Sequence, residues 1–173
     1  MSASKTNVVI ALVATLCMAP SLSDELLGFD DPLFVEQLPT GLSAALSSIF
    51  TFGAMYEFYP VRDLSYVIER LLHGGAPLGF RITNLLLYAW ISVWVCILLR
   101  LFGRPRIATL TALLFAVQPL HCEVACLITS RSILLSSLFG LLYLYFFIRA
   151  ELPGLTFSRP LRLASSLMLV LAL

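Results

Sequence analysis

The chain has 173 residues, 60% of them hydrophobic and only 12% charged, with a formal net charge of +1. A soluble domain of this size carries about twice that share of charge, so the composition argues against an ordinary soluble protein and for a polytopic membrane protein. The near-neutral balance, with no Lys/Arg cluster, argues equally against a nucleic-acid-binding surface.

Residues 1–6 are a polar start carrying Lys5, and Val8 to Ala19 is an apolar run closed by Pro20. A basic start, an apolar centre and Met18-Ala19-Pro20-Ser21 also fit a signal peptide. Leu22, Leu26 and Leu27 would lengthen the run into a tilted helix, and a retained first span over residues 1–20 is the expectation.

Residues 21–79 form a long loop holding eight of the ten acids: Asp24, Glu25, Asp30, Asp31, Glu36, Glu57, Asp63 and Glu69. Arg62 and Arg70 oppose them. Gly41 to Phe52 predicts a short apolar helix. Asp63 to Leu72 predicts an amphipathic one, because Leu64, Val67, Ile68, Leu71 and Leu72 recur at helical spacing. Asp63 is its expected N-cap, and Gly74-Gly75 with Pro77 ends it. Both helices are expected at the membrane interface, apolar face toward lipid or toward the bundle.

Residues 80–173 read as a helical bundle. Ile82 to Leu101 is the clearest span, with Trp90 and Trp94 inside it as lipid-facing or interhelical filler. A tight turn at Gly103 and Pro105 follows, crowded by Arg100, Arg104 and Arg106. Ile107 to Val117 opens another span, which Pro119 is expected to kink before Val124 to Ile128 resumes it. His121 and Glu123 are too polar for open lipid and belong on the bundle interior or an aqueous rim. Ile133 to Ile148 is a fourth span; after a link with the Pro153-Gly154 turn, Leu161 to Leu173 opens a fifth. The fold class is therefore all-α, with about four to five transmembrane helices and interfacial helices in the first outer loop. The last helix stops inside an apolar run, which suggests a fragment of a longer protein or a subunit packed into others.

Lys5, the Arg100–Arg106 turn and the Arg149–Arg162 link share one side if four spans precede the last, and together they hold seven of the eleven Lys/Arg. Basic residues in short loops mark the cytoplasmic side. The expectation is a cytoplasmic N-terminus, with residues 21–79 and the 121–132 turn facing the lumen or periplasm. Cys17 and Cys96 lie in apolar runs, where a thiol behaves as a small hydrophobe. Cys122 and Cys126 share a helix face near His121; a metal site there would need a third and a fourth ligand, and two packed thiols is the favoured reading.

Several stretches follow in an order that resembles a known family. They are Phe29-Asp30-Asp31-Pro32, Tyr59-Pro60-Val61-Arg62-Asp63-Leu64-Ser65, and Pro77-Leu78-Gly79-Phe80-Arg81-Ile82-Thr83-Asn84-Leu85-Leu86-Leu87. Ala112-Leu113-Leu114-Phe115-Ala116-Val117-Gln118-Pro119-Leu120-His121-Cys122-Glu123 and Ser130-Arg131 complete the set. The set resembles the N-terminal membrane half of the transmembrane and tetratricopeptide-repeat O-mannosyltransferases and their bacterial relatives, integral-membrane glycosyltransferases of the GT-C fold. The resemblance spans roughly residues 25–150. It implies luminal, inverting transfer of a sugar from a polyprenyl phosphate to a protein hydroxyl. By that resemblance Asp30 or Asp31 is the general base, Arg131 offsets charge on the leaving phosphate, and His121 and Glu123 complete the pocket wall. Arg81, where the family usually has His, becomes a phosphate or lipid-headgroup contact. The family also has His in place of Gln118 and Tyr88, and an acid in place of Ile133.

Two functions follow from different classes. One is a non-catalytic descendant of the GT-C fold serving as a structural subunit of a larger membrane complex, with lipid and other integral membrane subunits as partners. Its motives are the short chain and the missing acid at Ile133. The other is an active polyprenyl-phosphate-sugar-dependent protein O-glycosyltransferase, or its N-terminal part. Neither calls for a metal, a cofactor beyond the lipid-linked donor or a bound lipid, or a nucleic acid. An enzyme keeps Asp30 or Asp31 facing an open cavity beside Arg131; a structural subunit has that cavity closed.

Overall fold

The structure is a computed structural model, and it describes residues 2–22, 58–151 and 158–172, with residues 31, 32, 35, 43, 44, 47, 49 and 50 between them. Asp30, the Pro153-Gly154 turn and most of the helix expected over Gly41 to Phe52 lie outside the described residues. Among the described residues the fold is helical: α1 (Ala3–Met18), a 3-10 turn (Ala19–Ser21), α2 (Pro60–His73), α3 (Pro77–Arg100), α4 (Pro105–Ala116), α5 (His121–Cys126), α6 (Arg131–Glu151) and α7 (Ser158–Ala172).

Two of these helices, α3 with 24 residues and α6 with 21, are long and apolar enough to cross a membrane. At about 1.5 Å per residue they reach the roughly 30 Å of a hydrocarbon core. Helices α1 and α4 are apolar but shorter, so of the four to five expected spans two have the required length.

Pro opens α2, α3 and α4 in their first turn, where its missing N–H has no helical partner to lose. Helix α2 therefore starts at Pro60 rather than at Asp63. Asp63 lies inside the first turn and accepts a 2.8 Å hydrogen bond from Arg62 Nε, so the expected N-cap is corrected. The stop is as expected: Gly74 adopts φ +73°, and its N–H closes on Arg70 O at 2.9 Å, a left-handed C-terminal residue that glycine adopts without strain.

Pro119 breaks the third apolar segment rather than kinking it. Helix α4 ends at Ala116, α5 runs only to Cys126, and Leu127 is extended, so Val124 to Ile128 does not resume a span. A four-residue interval containing a proline gives the chain room to leave the helical path.

Helices α1 and α3 run antiparallel, with Arg100 Nη1 donating to Asn7 Oδ1 at 3.0 Å at one end and Met18 clustered with Leu85 toward the other. The main core joins Ala14 and Met18 of α1, Leu85, Tyr88, Ala89 and Ile91 of α3, Ala116, Ala125, and Leu134 and Leu138 of α6. Ala108, Ala112 and Ala116 line the buried face of α4 at four-residue spacing, and such small residues let helices approach closely. Trp94 packs edge-on against Tyr145 at 5.3 Å, between helices, whereas Trp90 is exposed.

Helix α2 is turned inside out. Its buried residues are Arg62, Tyr66, Val67 and Glu69, while Leu64, Ile68, Leu71 and Leu72 are exposed. Of the two orientations the sequence allows, the polar stripe faces the bundle.

Candidate functional site

The site is built around a non-helical turn. Between α5 and α6, residues 127–130 leave backbone groups without helical partners, and buried backbone groups must be paired somewhere. Three segments supply the partners. Asn84 Nδ2 of α3 donates to Leu127 O at 2.8 Å, and the Tyr66 hydroxyl of α2 donates to Ile128 O. From the segment between α1 and α2, the Asp31 carboxylate accepts from Ile128 N–H and Thr129 N–H, both at 3.2 Å, and from the Thr129 hydroxyl at 3.3 Å. Asp31 is fully buried.

Arg131, the first residue of α6, fills the space beneath that turn and is also fully buried. Its Nε donates to Asn84 Oδ1 at 2.8 Å and its Nη2 to Phe80 O at 2.7 Å. Its Nη1 lies 2.8 Å from Glu69 Oε2, an ion pair without the alignment of a hydrogen bond, and 3.4 Å from Ser65 Oγ. The guanidinium carbon sits 4.5 Å over the Tyr66 ring, within cation–π range. All three nitrogens are engaged, which is how a buried guanidinium offsets its lost hydration. Arg81 Nη2 stands 3.9 Å from Asp31 Oδ2, both side chains fully buried. At that separation the pair is Coulombic rather than hydrogen-bonded. Burial pushes the Tyr66 hydroxyl well above the usual tyrosine range, while the Arg131 and Arg62 guanidinia oppose the shift. Tyr66 therefore stays protonated and donates.

A second polar point lies at the end of α4. The Tyr88 hydroxyl is 2.9 Å from Phe115 O, 3.2 Å from Ala116 O and 3.0 Å from His121 Nδ1. It meets the last carbonyls of α4, of which Phe115 O also accepts from Gln118 N–H at 3.2 Å. The His121 ring packs on Phe115 at 4.4 Å.

Of the residues expected from sequence, the structure brings Asp31, Arg81 and Arg131 into one cluster. His121 sits with Tyr88, and Glu123 is exposed on α5. Arg131 pairs with Glu69 of α2. Tyr66, Glu69, Asn84 and Tyr88 were not anticipated as members of these networks. One pattern does mark the first two: Arg62, Tyr66, Glu69 and His73 form a polar stripe as regular as the apolar one. Cys122 and Cys126 place their sulfurs 3.3 Å apart, and among the described residues no group of three or more His, Cys, Asp or Glu forms a metal site.

No family model matches the chain, and no solved structure does. The chain is similar to the human protein O-mannosyl-transferase TMTC4, 30% identical over 161 residues that cover 79% of this chain and 22% of that protein. It is similar to the mouse protein O-mannosyl-transferase TMTC3, 34% identical over 84 residues, 49% of this chain and 9% of that protein. The human TMTC3 is 29% identical over 96 residues. The chain thus spans 22% or less of the length of these relatives. Distant similarity to O-mannosyl-transferases over part of the chain, together with two apolar helices of spanning length, makes this a glycosyltransferase-related membrane protein.

Proposed function

We propose that this chain acts as a non-catalytic, structural member of a membrane complex, built on a GT-C-derived helical bundle. The observation that carries the reading is the state of Asp31. A general base needs a carboxylate within reach of a substrate hydroxyl. Asp31 is fully buried and uses both oxygens on the Ile128 and Thr129 N–H groups. Arg131 is enclosed in the same way, with each nitrogen already paired. In this reading the cluster fastens the outer loop and α2 to the α5–α6 turn, with the N-terminus cytoplasmic and residues 21–79 on the luminal or periplasmic face. Partners are lipid and other integral membrane subunits.

The test is purification of the untagged membrane complex in mild detergent, with mass spectrometry of what accompanies the chain. Fixed stoichiometry with other membrane subunits is the expected result; arrival alone, or with a longer transferase chain, overturns it.

A second reading is favoured by the similarity to the protein O-mannosyl-transferases. In it, the chain is the N-terminal part of a protein O-glycosyltransferase that uses a polyprenyl-phosphate sugar. Asp30 or Asp31 is then the base, Arg131 and Arg81 face the donor phosphate, and His121 and Glu123 line the pocket. Loss of sugar transfer in Asp30→Asn or Asp31→Asn, with folding intact, establishes this reading.

A further inference from the structure

We infer that the outward face of α2 is a lipid-binding surface, seated in the acyl-chain boundary of the outer leaflet. The inference rests on the chain being a membrane protein and adds a contact that this reading does not require. Helix α2 buries Arg62 (8% exposed), Tyr66 (0%) and Glu69 (7%) against the bundle, yet leaves Ile68 49%, Leu71 65% and Leu72 78% exposed. A contiguous exposed aliphatic face marks a binding surface, and burying it is favourable in proportion to its area.

Lipid, rather than a protein, is the occupant for two reasons. First, only Gly74 to Ala76 separate α2 from α3, a reach of at most about 11 Å. The end of α2 is therefore held at the level where a spanning helix begins. Second, the helix that follows α2 so closely carries the stripe Leu78, Ile82, Leu86 and Trp90, all exposed at four-residue spacing along α3. Such a stripe on a 24-residue apolar span is the side that meets acyl chains. Helix α2 turns Tyr66 and Glu69 inward, to the Ile128 carbonyl and to Arg131, and its aliphatic residues outward. It forms a cover between the charged cluster and the lipid.

The test uses the unaltered full chain in nanodiscs of phosphatidylcholine carrying a diazirine on one acyl chain. After irradiation, lipid adducts are located in the tryptic peptides 63–70, 71–81 and 82–100. The expected result is adducts on Leu64 or Ile68 and on Leu71 or Leu72, alongside those on the α3 stripe. Labelling confined to 82–100 overturns the proposal and leaves the membrane reading standing. Labelling in none of the three peptides overturns both. Protein–protein crosslinks from α2 in place of lipid adducts also overturn it, assigning the face to a partner or a second copy. In Ile68→Asp, adducts on Leu71 and Leu72 are expected to fall several-fold while the 82–100 adducts persist; unchanged α2 labelling in that variant counts against the proposal.

Discussion

The two ends of the bundle treat their charges in opposite ways. At one end Asp31, Arg81 and Arg131 are wholly buried, and the neighbouring Glu69 is nearly so. At the other, Arg104 and Arg106 are exposed and Arg100 reaches Asn7 at 3.0 Å. A buried charge costs several kcal/mol of hydration unless its partners are complete, and removing one partner leaves the rest uncompensated. Exposed arginines in a short loop bear on which side of the membrane the loop stays and contribute little to the fold. One end holds tertiary structure; the other contributes little to it.

That contrast is open to direct challenge. Arg131→Met removes the centre of the buried end and leaves Glu69, Asn84 Oδ1 and Phe80 O without their partner. Thermal unfolding in detergent is expected to show a loss of roughly 3–5 kcal/mol. Asn84→Leu comes next: its amide both donates to Leu127 O and accepts from Arg131 Nε, and about 1–3 kcal/mol should be lost, measured the same way.

Tyr66→Phe deletes only the hydroxyl that reaches Ile128 O, and a loss of about 1–2 kcal/mol is expected. This residue also has a pH dependence. Its pKa is raised above the usual 10.0 by burial, so the folded state keeps the proton longer than the unfolded chain. Its contribution is fully present below pH 10 and declines as pH rises beyond it. Unfolding curves across alkaline pH should be flatter in Tyr66→Phe. At the exposed end, Arg104→Ala with Arg106→Ala should leave the melting temperature almost unchanged. Protease protection of the 101–106 turn in sealed vesicles is where an effect belongs; a large loss of stability instead would remove the distinction between the ends.

Much of the helical plan was legible in the sequence. The long apolar runs marked α3 and α6, and Gly74-Gly75 marked the stop of α2. The apolar periodicity of Leu64 to Leu72 marked an amphipathic helix, but periodicity says only that two faces differ. It does not say which face meets the protein, and here the polar stripe does. Asp63 lost the N-cap because Pro60 is already suited to the first helical turn. The break at Pro119 looked like a kink because apolar residues resume at Val124; the extended Leu127 that turns the chain has no local marker. Asp31, Arg81 and Arg131 were singled out by the resemblance of their flanking stretches to the O-mannosyltransferases, not by their local surroundings. Their partners were not, since Arg131 to Glu69 and Asp31 to Thr129 are contacts between residues far apart in the chain. Only the packing of helices creates them.

The most direct measurement is the thermal stability of Asp31→Asn in mild detergent, read beside its sugar transfer. If the carboxylate fastens the segment between α1 and α2 to the α5–α6 turn, the melting temperature falls by several degrees, because one N–H of the pair Ile128 and Thr129 loses its acceptor and Arg81 its opposite charge. An unchanged melting temperature, with a measurable sugar transfer abolished by the substitution, would contradict that account and return Asp31 to the role of a base.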